Sequence, residues 1–116
     1  MGQLLRDSAL VRMREGRNAW CAAELMRAAT HGAWRNGTAD PASVGGQLQE
    51  ARALARRQGA LAWELRAAMS LGEWLAERAD VAQAQDLLGD VVARFRDGGD
   101  TADLRSARAQ LAHLAA

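Results

Sequence analysis

Apolar residues recur along this chain at helical spacing, and short polar or glycine-containing breaks interrupt them. The breaks fall at Gly16, from Asn36-Gly37 to Pro41, at Gly59, at Ala79-Asp80 and at Gly98-Gly99. They divide the chain into six segments, each predicted to be helical. The first, about 3–15, carries Leu4 and Val11 on a weak stripe. The second, about 18–35, has Asn18 as a candidate N-cap. Its expected apolar face is Cys21, Leu25, Ala28 and Gly32. The third follows Asp40-Pro41, a helix-start pair, and its stripe is Val44, Leu48, Ala51, Leu54 and Ala55. Gly45-Gly46 weakens its first turn, by about 1 kcal/mol per glycine relative to Ala, and predicts a frayed or late start. The fourth, about 60–78, carries Leu61, Leu65, Ala68, Leu71, Gly72 and Leu75. The fifth, about 80–96, carries Val81, Ala84, Leu88, Val91, Val92 and Phe95. The sixth starts at Asp100 or Thr101 and carries Leu104, Ala107, Leu111 and Leu114.

Short connections make neighbouring helices antiparallel, which leaves a closed bundle or a stack of hairpins. A shift of forty residues favours the stack. It brings Glu24 onto Glu64, Leu25 onto Leu65, Gly32 onto Gly72, Trp34 onto Trp74 and Asp40 onto Asp80; Leu48 and Arg56 fall on Leu88 and Arg96. The expected architecture is one all-α domain over 1–116, with five to six antiparallel helices in a short α-solenoid. Its parts are a hairpin over 18–58, a second over 60–96 and a terminal helix over 101–115. Gly72 is expected to be a close-packing position, with Gly32 as its counterpart.

Composition agrees with an all-helical chain. Among 116 residues there are 27 Ala and 15 Leu but no Ile, Tyr or Lys, so helix formers dominate and strand formers are scarce. Arginine as the sole base, together with abundant alanine, points to a gene rich in G and C and to a bacterial source. Fifteen arginines against fourteen acids give a net charge of +1, so no overall basic field attracts nucleic acid or a membrane surface. The charge is uneven, +4 over residues 1–58 and −3 over residues 59–116. Opposite ends of the stack would therefore attract, and a homo-oligomer is expected. A single cysteine, with neither a long apolar run nor a leader pattern, predicts a cytoplasmic protein.

Two phrases carry a family resemblance: Ala55-Arg56-Arg57-Gln58-Gly59-Ala60 and Trp63-Glu64-Leu65-Arg66-Ala67-Ala68. Ser70-Leu71 and Asp100-Thr101-Ala102-Asp103-Leu104 extend it. The stretch from Ala51 to Leu114 resembles the C-terminal tetratricopeptide-like region of large bacterial regulatory ATPases, which often stand behind a nucleotide-cyclase or DNA-binding module. Gly16 to Arg27 is similar to the preceding helix of that region. The chain departs from the pattern at Val44-Gly45-Gly46, and its start at Met1-Gly2, within what reads as a preceding repeat, suggests an excised piece. No GxxxxGK[ST] motif is present, so ATPase or cyclase activity does not carry over.

The resemblance implies a tetratricopeptide-like scaffold that contacts protein or peptide partners, without a cofactor. Its relatives bind peptides on the face lined by the first helix of each hairpin. The positions expected there are Met26, Arg66, Met69, Glu73 and Glu77, together with Ala29 and Ala33, a mixed surface suited to a helix or an extended peptide. Trp63 and Trp74 are candidate aromatic anchors, and Trp34 and Trp74 are expected to pack between hairpins. The alternative is a small-molecule sensor with a Trp- and Met-lined pocket between hairpins. Cys21, His31 and His113 show no metal-ligand or nucleophile spacing. Gly45-Gly46-Gln47 matches a release-factor tripeptide but stands at a helix start. A non-enzymatic module is therefore expected.

Overall fold

The computed structural model describes residues 21–95 and 101–115. Five helices fill them, α1 (Ala22–Asn36), α2 (Pro41–Arg57), α3 (Leu61–Glu77), α4 (Val81–Ala93) and α5 (Ala102–Ala115), and there is no strand among the described residues. The first segment expected from the sequence, and its Asn18 cap, lie outside them.

Local chemistry sets the helix ends. Gly37 takes a left-handed conformation at φ 75° and closes α1, a position at which a Cβ is costly. Asp40 then accepts the Ala42 N–H at 3.2 Å, and Pro41 opens α2. Gly59 repeats the left-handed stop after α2 at φ 68°. At the third stop the chain uses Ala79, at φ 64°, without glycine. Thr101 caps α5 by accepting the Leu104 N–H at 3.2 Å.

The helices form antiparallel hairpins that stack side by side. Helix α3 touches all four others. Two apolar clusters result. Val44, Leu48, Leu71, Leu75 and Ala84 join α2, α3 and α4, with Trp34 and Trp74 packed against them. Leu65, Ala68, Leu88, Val91, Leu104 and Ala107 join α3, α4 and α5. Both tryptophans thus pack across the hairpins.

The forty-residue repeat holds for the second helix of each hairpin. Val44 and Ala84, Leu48 and Leu88, and Ala51 and Val91 are all fully buried. It fails for the first helices. Leu65, Ala68 and Gly72 are buried, but Leu25, Ala28 and Gly32 are exposed, and α1 buries Ala22, Ala23 and Thr30 instead. The cause is loop length. Residues 37–40 separate α1 from α2, whereas only 78–80 separate α3 from α4. One residue turns a helix by about 100°, so the matching offset for α1 and α3 is forty-one.

The glycines show the same slip. A Cβ on Gly72 would stand 3.0 Å from Leu88 Cδ1 and from Gln110 Nε2, whereas one on Gly32 would meet nothing within 4 Å. Gly72 is thus a close-packing position and Gly32 is not its counterpart.

The expected fraying at Gly45-Gly46 is also corrected. Helix α2 runs unbroken through both residues, anchored by the Asp40 cap and by Trp74 lying on Gly45. A Cβ on Gly45 would fall 2.5–2.9 Å from Trp74 Cη2, Cζ3 and Cζ2, while one on Gly46 would meet nothing within 4 Å. The two alanine variants should therefore diverge. Gly46→Ala should stabilise by about 0.5–1 kcal/mol through helix propensity. Gly45→Ala should destabilise by about 1–3 kcal/mol, because the indole must move. Denaturant unfolding of both variants checks this, and equal effects would show that Trp74 does not lie on α2.

Candidate functional site

Three features carry the polar chemistry of the stack. The first is the seam between α1 and α3. Arg27 donates through Nε and Nη2 to both carboxylate oxygens of Glu24, at 2.8 Å each. Arg66 bridges from α3 to Glu24 at 2.9 Å and reaches Asp103 of α5 at 3.7 Å. Farther along, Arg35 pairs with Glu73 at 3.2 Å and with Glu77 at 3.0 Å. Arg66, Glu73 and Glu77 were expected to face a partner. In the structure they pair with side chains of the neighbouring helices and tie α3 to them. Each is a third or more exposed, so each pair contributes about 0–1 kcal/mol. Met69 packs against the Leu65–Leu88–Leu104 cluster, and Met26 is half-buried on α1.

Ser70 lies at the centre of this seam. Arg27 Nη1 donates to its Oγ at 3.2 Å, His31 Nδ1 is 2.9 Å from the same oxygen, and His31 Nε2 is 3.5 Å from Glu73. The geometry fits a neutral imidazole with its proton on Nε2. Ser70 accepts from Arg27, gives its own proton to Nδ1, and leaves Nε2–H toward the carboxylate. Serine, histidine and glutamate thus stand in the order of a hydrolytic triad, which spacing along the chain could not reveal. Two facts argue against that chemistry. Ser70 is only 3% exposed, and it sits in mid-helix, where the backbone N–H groups needed for an oxyanion hole are already bonded.

The second feature is a buried ion pair. Glu64 is 1% exposed, and its Oε2 accepts from Arg94 at the end of α4. Arg56, Gly59 and Leu61 complete an open cavity of about 360 Å³ around the pair. Glu64 was read from the sequence as the repeat counterpart of Glu24 and as part of the resemblance, without a role of its own. It falls among Leu61, Ala67, Ala68 and Leu71, and a charge inside an apolar stripe is the signal that would have found it.

The third is a cleft of about 550 Å³ between α2 and α4, floored by α3. Leu71, Leu75 and Trp74 form its base, and Gly45 and Gly46 form one wall. Gln49, Arg78, Asp80 and Gln83 line its rim. Gly46 leaves space that a side chain would occupy. The Arg78 guanidinium lies 4.1 Å from the centroid of the Trp74 ring, a cation–π contact, and the buried Trp74 Nε1 makes no hydrogen bond. Trp74, expected as an aromatic anchor, therefore does line a surface recess. Trp63 is half-buried in the first turn of α3, outside this recess. Among the described residues no methionine lines it.

Among the described residues no group of three histidine, cysteine or carboxylate side chains could hold a metal ion. No helix among them is long and apolar enough to cross a membrane. No family model matches the chain, and no curated protein or solved structure matches it either.

Two measurements test these features. Arg94→Ala leaves the Glu64 carboxylate buried without its partner. It should cost about 2–4 kcal/mol in denaturant unfolding, toward the lower end for a buried pair because Arg94 is itself partly open to water. For His31, burial lowers the pKa from its ordinary 6.5, partly opposed by Glu73, with Arg27 and Arg35 lowering it further. The unfolded chain therefore binds the proton more readily. The stabilisation is full above about pH 6.5 and declines as pH falls through the depressed native value. His31→Gln should flatten the fall in melting temperature between pH 7 and pH 5.

Proposed function

We propose that the chain is a non-enzymatic protein-interaction or scaffold module of tetratricopeptide-like type, related to the helical-repeat regions of bacterial regulatory ATPases that its sequence resembles. One observation carries this reading, the Trp74 cleft. It is open, spans three helices, and combines an apolar base with a polar rim, as protein-binding recesses do. The glycines that form its wall weaken helix α2, and Gly46 has no packing contact to justify it. A site that retains a costly residue for the space it leaves is expected at a functional surface. The polar seam supports the same reading from the other side of α3. Its charges hold the first helices together, which makes the cleft the better place for a partner.

A small-molecule sensor is the second reading, because about 550 Å³ lies within the range of ligand pockets. The lack of a methionine lining and the open mouth favour a peptide.

Selection of a displayed random-peptide library on the immobilised chain tests the proposal. Peptides should be enriched and should bind with micromolar to millimolar affinity. They should lose at least about tenfold on Gly46→Leu, which fills the recess while strengthening α2. Enrichment of no peptide, together with saturable binding of fragment-sized compounds at Trp74, would replace the module with the sensor.

A further inference from the structure

The rim of the Trp74 cleft holds charged and polar groups that the fold leaves unpaired. Arg27, Arg35, Arg66 and Arg94 each pair with a carboxylate. Arg78 pairs with none among the described residues. Its Nη2 donates to the Pro41 carbonyl at 3.3 Å, and its plane rests on Trp74. These two contacts hold the guanidinium in place and leave further N–H donors facing outward. A planar, prepositioned fork suits a carboxylate, and little rotamer freedom remains to be lost on binding. Asp80 begins α4 without capping it through its side chain. Gln83 is exposed on the α4 bank. On the α2 bank the Gln49 Oε1 accepts from Arg52 at 3.3 Å, which turns its amide N–H₂ to other acceptors. Between these banks lies the apolar base beside Gly46.

We infer that the cleft binds an extended peptide segment of a partner protein that carries an acidic residue next to an aliphatic one. The acidic side chain pairs with Arg78. The aliphatic one occupies the space beside Gly46, over Leu71 and against Trp74. Asp80 accepts from backbone N–H groups of the segment, and the amides of Gln49 and Gln83 donate to its carbonyls. One unpaired cation and one unpaired anion at separate points of the rim select against a uniformly acidic stretch and favour a single carboxylate. This inference rests on the reading of the cleft as a protein-binding site.

Three end-capped hexapeptides test it, identical but for a central Leu-Glu, Leu-Gln or Leu-Lys. Each is titrated into the full chain, and the indole N–H of Trp74 and the side-chain amides of Gln49 and Gln83 are followed by NMR. The Leu-Glu peptide should shift all three groups and bind about tenfold more tightly than Leu-Gln, with Leu-Lys weakest. Arg78→Gln should erase the preference for Glu, and Arg78→Lys should keep part of it. Gly46→Leu should suppress binding of all three peptides, with helicity by circular dichroism unchanged in every variant. Equal binding of Leu-Glu and Leu-Gln, or a preference that survives Arg78→Gln, would overturn the inference. Failure of all three peptides would also overturn it. If peptides selected from the library still bound at the cleft in that case, the interaction-module reading would stand without its acidic specificity. If they did not bind, both would fall.

Discussion

Helix α3 has to satisfy four neighbours at once, and the rest of the structure follows from how it does so. Leu65, Ala68 and Gly72 meet α4 and α5, and Leu71 and Leu75 meet α2 and α4. Arg66, Ser70 and Glu73 meet α1. A helix with four neighbours keeps only a narrow, partly open face along Arg66, Glu73 and Glu77, and eight of its residues, Glu64 among them, are buried. The Glu64 carboxylate is tolerable only because the chain returns through α4 to bring Arg94 beside it. A further opening lies around Trp74, between α2 and α4. The cleft is thus a by-product of stacking hairpins on one central helix, enlarged by two glycines.

Most of the helical frame was legible in the sequence, because glycine, proline and capping residues mark its ends. Asp40-Pro41, Gly59 and Thr101 each act as their residue types predict, and the stripes of α2, α3, α4 and α5 lie inward. The stripe of α1 does not. Helical spacing placed Cys21, Leu25, Ala28 and Gly32 on one apolar face, and the forty-residue offset that pairs Trp34 with Trp74 matched that face to the stripe of α3. The extra residue between Asn36 and Pro41 was visible as sequence. Its effect was not, because the end of α1 depends on where Gly37 adopts its left-handed turn.

The surface chemistry was less legible for a similar reason. Arg66, Glu73 and Glu77 were grouped by helical spacing, but their partners come from α1 and α5, and tertiary pairing leaves no periodic trace. Ser70 and His31 are thirty-nine residues apart and meet only when two first helices lie side by side. The cleft was hidden because Gly45-Gly46 reads locally as a weak helix start. Only the position of Trp74 distinguishes the two glycines, one lying under an indole and one facing empty space.

The two seams along α3 differ in kind, and this gives the stack a chemical direction. On the α1 side the contacts are arginine–carboxylate pairs and a serine–histidine bond. On the α5 side they are chiefly Leu65 and Ala68 against Leu104 and Ala107, beside one longer Arg66–Asp103 pair at 3.7 Å. Dissolved salt acts on the two oppositely. Counterions screen partly exposed ion pairs over about 8–10 Å, whereas strongly hydrated salts such as sulfate favour apolar burial. A rise in ionic strength therefore loosens α1 against α3 while tightening α2 and the terminal helix onto it. Among the described helices α1 is thus the compliant one, and its stiffness is set by the surrounding electrolyte as well as by the sequence.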